Sequence, residues 1–144
     1  MLLLDTNLVS ELMRSRSDPH VMSWVAAQPL SEMAIATITV MEIRFGIALL
    51  PQGKRRTDLD TRFRQLLVQA FTGRVLAFDQ PAADACAEIR AQRRQMGNPI
   101  TVEDSMIAAI AWVHGAPVVT RDVRGFEGCG LSLINPWQDG AEGG

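Results

Sequence analysis

Four acidic residues, Asp5, Glu42, Asp104 and Asp122, are singled out by what precedes them. Asp5 ends the apolar run Leu2-Leu3-Leu4, and Asp122 follows a second short run containing Val118 and Val119. Glu42 and Asp104 each lie three residues after a threonine, Thr39 and Thr101, where a helical pattern begins. Each placement has a structural explanation when taken alone. An acid at the third helical position satisfies free backbone donors and favours the helix dipole, and an aspartate after a strand is an ordinary turn residue. Together, the two strand-then-aspartate segments and the two helix-start acids predict carboxylates converging on one edge of a sheet. Two carboxylates about 4 Å apart repel by roughly 4 kcal/mol at an effective dielectric of about 20, so such a cluster needs raised pKa values or a cation. With oxygen donors and neither Cys nor His in the set, Mg²⁺ or Mn²⁺ is favoured over zinc, and these ions commonly join carboxylates to phosphate oxygens.

The elements that must position these acids follow from hydrophobic pattern and capping signals. Residues 2–4 suit a strand buried on both faces, with Asp5 at its carboxyl end. Thr6 and Asn7 are set to cap a helix over residues 8–14, and Asp18 with Pro19 opens a second over 20–28. A strand is expected at 33–38, then a helix opened by Thr39 and Glu42 as a capping box and ended by Pro51 and Gly53. Residues 54–71 place Leu59, Phe63, Leu66, Leu67 and Ala70 at helical spacing among charges. A third strand at 75–78 and a helix from Asp79 and Pro81 to about Met96 follow. Gly97-Asn98-Pro99 breaks the chain before a helix capped by Thr101 over Val102–His114. Strands at 117–120 and 131–134 complete the set, and residues 138–144 suit a disordered tail. Alternating strands and helices make the class α/β, with a central, mainly parallel sheet of about five strands flanked by helices. Such sheets gather functional groups beyond the carboxyl ends of their strands, where Asp5 and Asp122 fall.

A chain of 144 residues with 47% hydrophobic content suits one domain, here residues 1–137. No apolar stretch approaches the roughly 20 residues of a membrane-spanning helix, and neither a basic leader nor a signal-like apolar region precedes Asp5, so a cytoplasmic location is expected. Cys86 and Cys129 lie outside any metal-ligand spacing and are assigned to packing as reduced thiols. The formal charge of −2 excludes a protein that holds nucleic acid by bulk positive charge and leaves local patches to do so. Two clusters, Lys54-Arg55-Arg56 and Arg90 with Arg93 and Arg94, are in the first instance solvated helix faces. Trp24, Trp112 and Trp137 are assigned to the core, and the isolated His20 and His114 to the surface or helix ends. Met33, Met41, Phe45, Ile47 and Leu50 form an apolar excess suited to core packing first and to a partner groove second.

The blocks LLLDTNLVSEL at 2–12, ITVMEIRFGIALL at 38–50, VEDSMIAAIA at 102–111 and VVTRD at 118–122 resemble, in order and spacing, the signature blocks of PIN domains. The resemblance covers nearly the whole chain. It is closest to the VapC toxins, especially the FitB branch, through ITVMEIRFGIALLPQGK at 38–54, RVLAFDQP at 74–81 and NPW at 135–137. It implies a three-layer PIN-like fold with a metal site of Asp5, Glu42 and Asp104, and Asp122 as a fourth, more variable contributor. Beside that acid, Thr120 is placed to hold a ligand or water and Arg121 to contact phosphate. The implied activity is Mg²⁺- or Mn²⁺-dependent hydrolysis of RNA phosphodiesters. The ion polarises the phosphate and lowers the pKa of the attacking water, and Glu42 and Asp122 are both open as acceptors of its proton. RNA phosphates would meet one of the two basic clusters. The resemblance also implies the toxin half of a toxin-antitoxin system, a toxin homodimer, and a small antitoxin that covers the acidic pocket and carries the DNA-binding element. Glu103 departs from the small residue expected beside Asp104, but on a helix its side chain points about 100° away, toward solvent.

Two other functions fit part of the pattern. An aspartate after the first strand can be the nucleophile of an aspartyl-phosphate phosphotransferase or phosphatase. A haloacid-dehalogenase-like site, however, wants a second aspartate where Asn7 stands, and a receiver-like site wants a lysine near Arg121 and Asp122. The other is a non-catalytic acidic module that binds a basic partner; the presence of all four acids speaks against it.

Overall fold

The three leucines at the head of the chain form the middle strand of the sheet. In the computed structural model, which describes residues 1–137, β1 (Leu2–Leu4), β2 (Met33–Ala36), β3 (Val75–Leu76), β4 (Val118–Val119) and β5 (Leu133–Ile134) pair in parallel in the order β3-β2-β1-β4-β5. The tail expected at 138–144 lies outside the described residues. Alternation of side chains along each strand supplies two cores. Leu3, Ala34, Ala36 and Val118 pack against α5 (Gln80–Gln95), α6 (Val102–His114) and α7 (Val123–Phe126). Leu4, Met33, Ile35 and Val119 pack against α1 (Thr6–Leu12), α2 (Pro19–Ala26), α3 (Thr37–Ala48) and α4 (Lys54–Ala70). Helices on both faces make the three-layer α/β architecture and explain why the strands are apolar runs with no polar alternation. Among the described residues no helix is long and apolar enough to cross a membrane.

From β1 the chain steps outward to β2 and β3 on one side, then returns to lay β4 and β5 on the other. The carboxyl ends of β1 and β4 therefore border the topological switch point, the usual site of chemistry in open parallel sheets. Register places Leu4 opposite Val119, and the Asp5 N–H donates to the Val119 carbonyl at 2.9 Å. Asp5 and Thr120 thus leave the sheet side by side.

Several local expectations change. β1 spans the residues expected, whereas β2 to β5 are shorter than predicted, and α3 begins at Thr37, directly after β2. Its N-cap is Ala36, which offers no side-chain bond. Glu42 is consequently the sixth residue of the helix and no cap, and Thr39 is fully buried, away from the free amides it was expected to hold. The cap of α1 is Asp5 itself, not Thr6 or Asn7. Asp18, Asp79 and Thr101 cap α2, α5 and α6 as expected. A 3₁₀ turn at Leu30–Glu32 and α7 have no counterpart in the sequence reading. Cys86 and Cys129 are buried free thiols, and His20 and His114 are exposed. Trp112 is not core: it is 56% exposed, as are Met41 at 50% and Phe45 at 62% on α3. Arg93 is fully buried and belongs to no solvated face.

Candidate active site

A thread of hydrogen bonds links three of the four acids across the switch point. Asp5, 3% exposed, accepts from the Thr6 amide at 2.6 Å through Oδ1 and from the Thr120 hydroxyl at 2.7 Å through Oδ2. The same Thr120 oxygen accepts from the Asp122 amide at 2.9 Å. On the other side, the Thr6 hydroxyl donates to Glu42 Oε1 at 2.7 Å and lies 3.1 Å from the Thr39 hydroxyl. Glu42, Thr6, Asp5, Thr120 and Asp122 form one continuous series drawn from β1, α1, α3 and the end of β4. Asp104 faces it from the first turn of α6, where its amide donates to Thr101 Oγ1 at 3.2 Å.

Electrostatics show that the acids feel one another. The Asp5 carboxyl is pushed up to about 6, by burial first and then by the charges of Asp104 and Glu42, against the lowering effect of its Thr120 and Thr6 bonds. Asp104 is also raised, by burial first and then by Asp122, Glu42 and Glu103. Glu103 itself is exposed, as expected. None of the four acids forms an ion pair among the described residues. Carboxylates gathered without a counter-ion suit a hard cation, and an all-oxygen donor set with adjoining hydroxyls has the chemistry of a Mg²⁺ or Mn²⁺ site. No three such side chains among the described residues already close around one point. Each of three acids has an oxygen held by a neighbour: Asp5 by the Thr120 hydroxyl, Glu42 by the Thr6 hydroxyl, and Asp122 by the Gly125 amide at 3.1 Å.

The remaining candidates fall as follows. Thr120 is fully buried and orients two acids. Arg121 is exposed, with its guanidinium 5.7 Å from the centroid of the half-buried Trp137 ring. Lys54 and Arg55 line a groove of about 880 Å³ that opens from Thr6 and Glu42 and runs between α1, α3 and α4; Arg14 and Arg62 add further positive charge to it. Arg56 faces a separate hollow, as do Arg90 and Arg94. The sequence reading missed Thr6 and Thr39 as the joint that holds Glu42. In the sequence both fit helix-capping roles, and only the contact of α1 with α3 reveals the other use.

A family model described as PIN domain matches residues 2–128. The chain is 44% identical over 138 residues to VapC ribonuclease Y4jK of Sinorhizobium fredii, covering 96% of this chain and 99% of that one. To toxin FitB of Neisseria gonorrhoeae it is 39% identical over 139 residues, covering 96% and 100%. The solved structure of FitAB bound to an IR36 DNA fragment matches with a TM-score of 0.90 at 38% identity, over 96% of this chain and 97% of that one.

Proposed function

Since this chain belongs to the PIN-domain family and shares nearly its whole length with VapC and FitB proteins, we propose that it is a divalent-metal-dependent ribonuclease, the toxin of a toxin-antitoxin pair. The observation that carries this reading is the placement of Asp5, Glu42 and Asp104 along the switch-point edge, where the charges of Asp104 and Glu42 add to burial in raising Asp5 to about 6. Asp5, Asp104, Glu42 and Asp122 are the residues proposed to hold Mg²⁺ or Mn²⁺, which when bound polarises a phosphate and acidifies water. The side chains supply the rest. Thr120 and the Thr6 amide fix both oxygens of Asp5, so its carboxylate is in place before substrate arrives. Glu42 and Asp122 each have one oxygen held and the other without a hydrogen bond among the described residues, so either can take a proton at that oxygen. Burial and double hydrogen bonding of Asp5 disfavour it as a phosphoryl-accepting nucleophile.

The groove beside Glu42 supports the partner part of the reading. Its floor includes Met13, Ile43, Ile47 and Leu50, which suits an apolar antitoxin segment whose basic end reaches the acids. Met41 and Phe45 on α3 and Leu49 at its C-cap, exposed at helical spacing, support a homodimer contact.

The test is cleavage of RNA by the purified protein freed of any antitoxin, with Mg²⁺ or Mn²⁺, with chelator, and as the Asp5→Asn and Asp104→Asn variants. Cleavage is expected only with metal and wild-type carboxylates. Equal cleavage by Asp104→Asn overturns the site, and phosphate trapped on Asp5 overturns the activity.

A further inference from the structure

Arg93 is the largest fully buried side chain, and no carboxylate lies within ion-pairing distance of it among the described residues. Burying a cation without a counter-ion is unfavourable unless its N–H groups find acceptors. Those acceptors come from two segments beside the acidic edge. Nε donates to the Asn98 carbonyl at 2.7 Å, in the turn ahead of α6, and Nη1 donates to the Gly125 carbonyl at 2.8 Å, in α7. Nη1 also lies 3.6 Å from Cys129 Sγ. The first segment leads into the helix that carries Asp104, and the second is capped by Asp122.

Gly125 links Arg93 to that cap. Its amide donates to Asp122 Oδ1 at 3.1 Å while its carbonyl receives Arg93. Its backbone is not in the left-handed region, so glycine is not required there for conformation. A Cβ at this position would instead strike the Asp122 carboxylate, well inside contact distance of Oδ2. The absence of a side chain lets Asp122 fold back onto the amide.

We infer that Arg93 is a positioning residue for Asp122: by gripping the Gly125 carbonyl it fixes the segment whose amide and missing Cβ set the direction of that carboxylate. The inference rests on the proposed metal-dependent nuclease reading for its consequence, and on the Arg93–Gly125–Asp122 contacts for its geometry. Arg93 touches neither substrate nor metal in this scheme; it acts through Asp122, as residues behind metal ligands do.

The experiment is a double-mutant cycle on the full chain, with R93K and G125A each in wild-type and D122N backgrounds. Binding of Mn²⁺ alone is read by electron paramagnetic resonance without RNA, and kcat and KM are read with RNA and Mn²⁺. Both substitutions are expected to weaken Mn²⁺ binding about tenfold or more and to lower kcat with little change in KM. In the D122N background neither has a further effect. An equal loss with and without Asp122 overturns the inference, as does wild-type Mn²⁺ affinity in G125A. If R93K does not fold, G125A decides, because it removes no core contact. A wild-type protein that binds Mn²⁺ but cuts no RNA sinks the nuclease reading, while the Mn²⁺ cycle still decides the positioning role. No Mn²⁺ binding by the wild-type protein overturns both.

Discussion

Replacing Asp5 by asparagine is expected to stabilise the protein in chelator at pH 8 while removing its activity. Asp5 is 3% exposed and its carboxyl is raised from 3.8 to about 6. Between those values the folded protein binds more protons than the unfolded chain, so stability is greatest below about pH 4 and falls as pH rises through about 6. At about 1.36 kcal/mol per pH unit, the loss by pH 8 is about 3 kcal/mol. Asparagine is neutral throughout and avoids it. It can still accept from the Thr6 amide and meet the Thr120 oxygen with its NH₂ group, provided that the hydroxyl turns. For a domain of this length about 3 kcal/mol corresponds to roughly 9 °C in Tm. Asp104, raised in the same direction and coupled to Asp5 by charge, tilts the pH profiles of both proteins, so their difference reports Asp5 together with that coupling. Thermal melts followed by circular dichroism in EDTA, from pH 4 to pH 8, provide the measurement. The gap should be near zero at pH 4 and open through pH 6. A variant less stable than wild type at pH 8, or a gap independent of pH, refutes the electrostatic argument.

Mn²⁺ at about a hundred times its dissociation constant should stabilise the wild-type protein by about 2.7 kcal/mol; thermal shifts should show that stabilisation disappear in Asp104→Asn. Thr6→Val removes the hydroxyl that holds Glu42 and faces Thr39, and single-turnover RNA cleavage should slow about tenfold or more. Phe63, fully buried under the α3–α4 pair with Arg44 over its ring at 5.3 Å, should cost about 3–5 kcal/mol when cut to alanine. Urea denaturation checks this, and Trp112→Ala, exposed on α6, should stay within about 1 kcal/mol in the same assay.

The strand ends were legible because apolar runs terminate abruptly at Asp5 and near Asp122, and the parallel class because strands alternate with long helical patterns. Local capping signals were less reliable. Asp5, Thr6 and Asn7 are all competent N-caps, and the backbone angles that choose among them depend on how β1 is held by β4. Thr39 and Glu42 have the same spacing as Thr101 and Asp104, yet only the latter pair opens a helix. Burial of Thr39 between α1 and α3 separates the two cases, and burial is a tertiary property. Arg93 was hidden in a basic run, although a signal existed: Ala82, Cys86 and Ile89 are the buried residues of α5, and Arg93 falls next on that stripe. Four-residue α7, with Gly125 inside it, lacks the periodicity by which a helix is recognised.

The bond between Asp5 and Thr120 spans 115 residues, and this separation has a temporal meaning. A ribosome adds about 5–20 residues per second, so Asp5 waits roughly 6–23 s for its partner to be made. Throughout that interval β1 has no β4 beside it, the Asp5 carboxylate lacks the hydroxyl that orients it, and Asp104 arrives only shortly before Thr120. A nascent or prematurely released chain therefore lacks the assembled acidic edge. The acidic edge can be complete only after residue 120 has been added, so its assembly belongs to the last steps of the chain's synthesis.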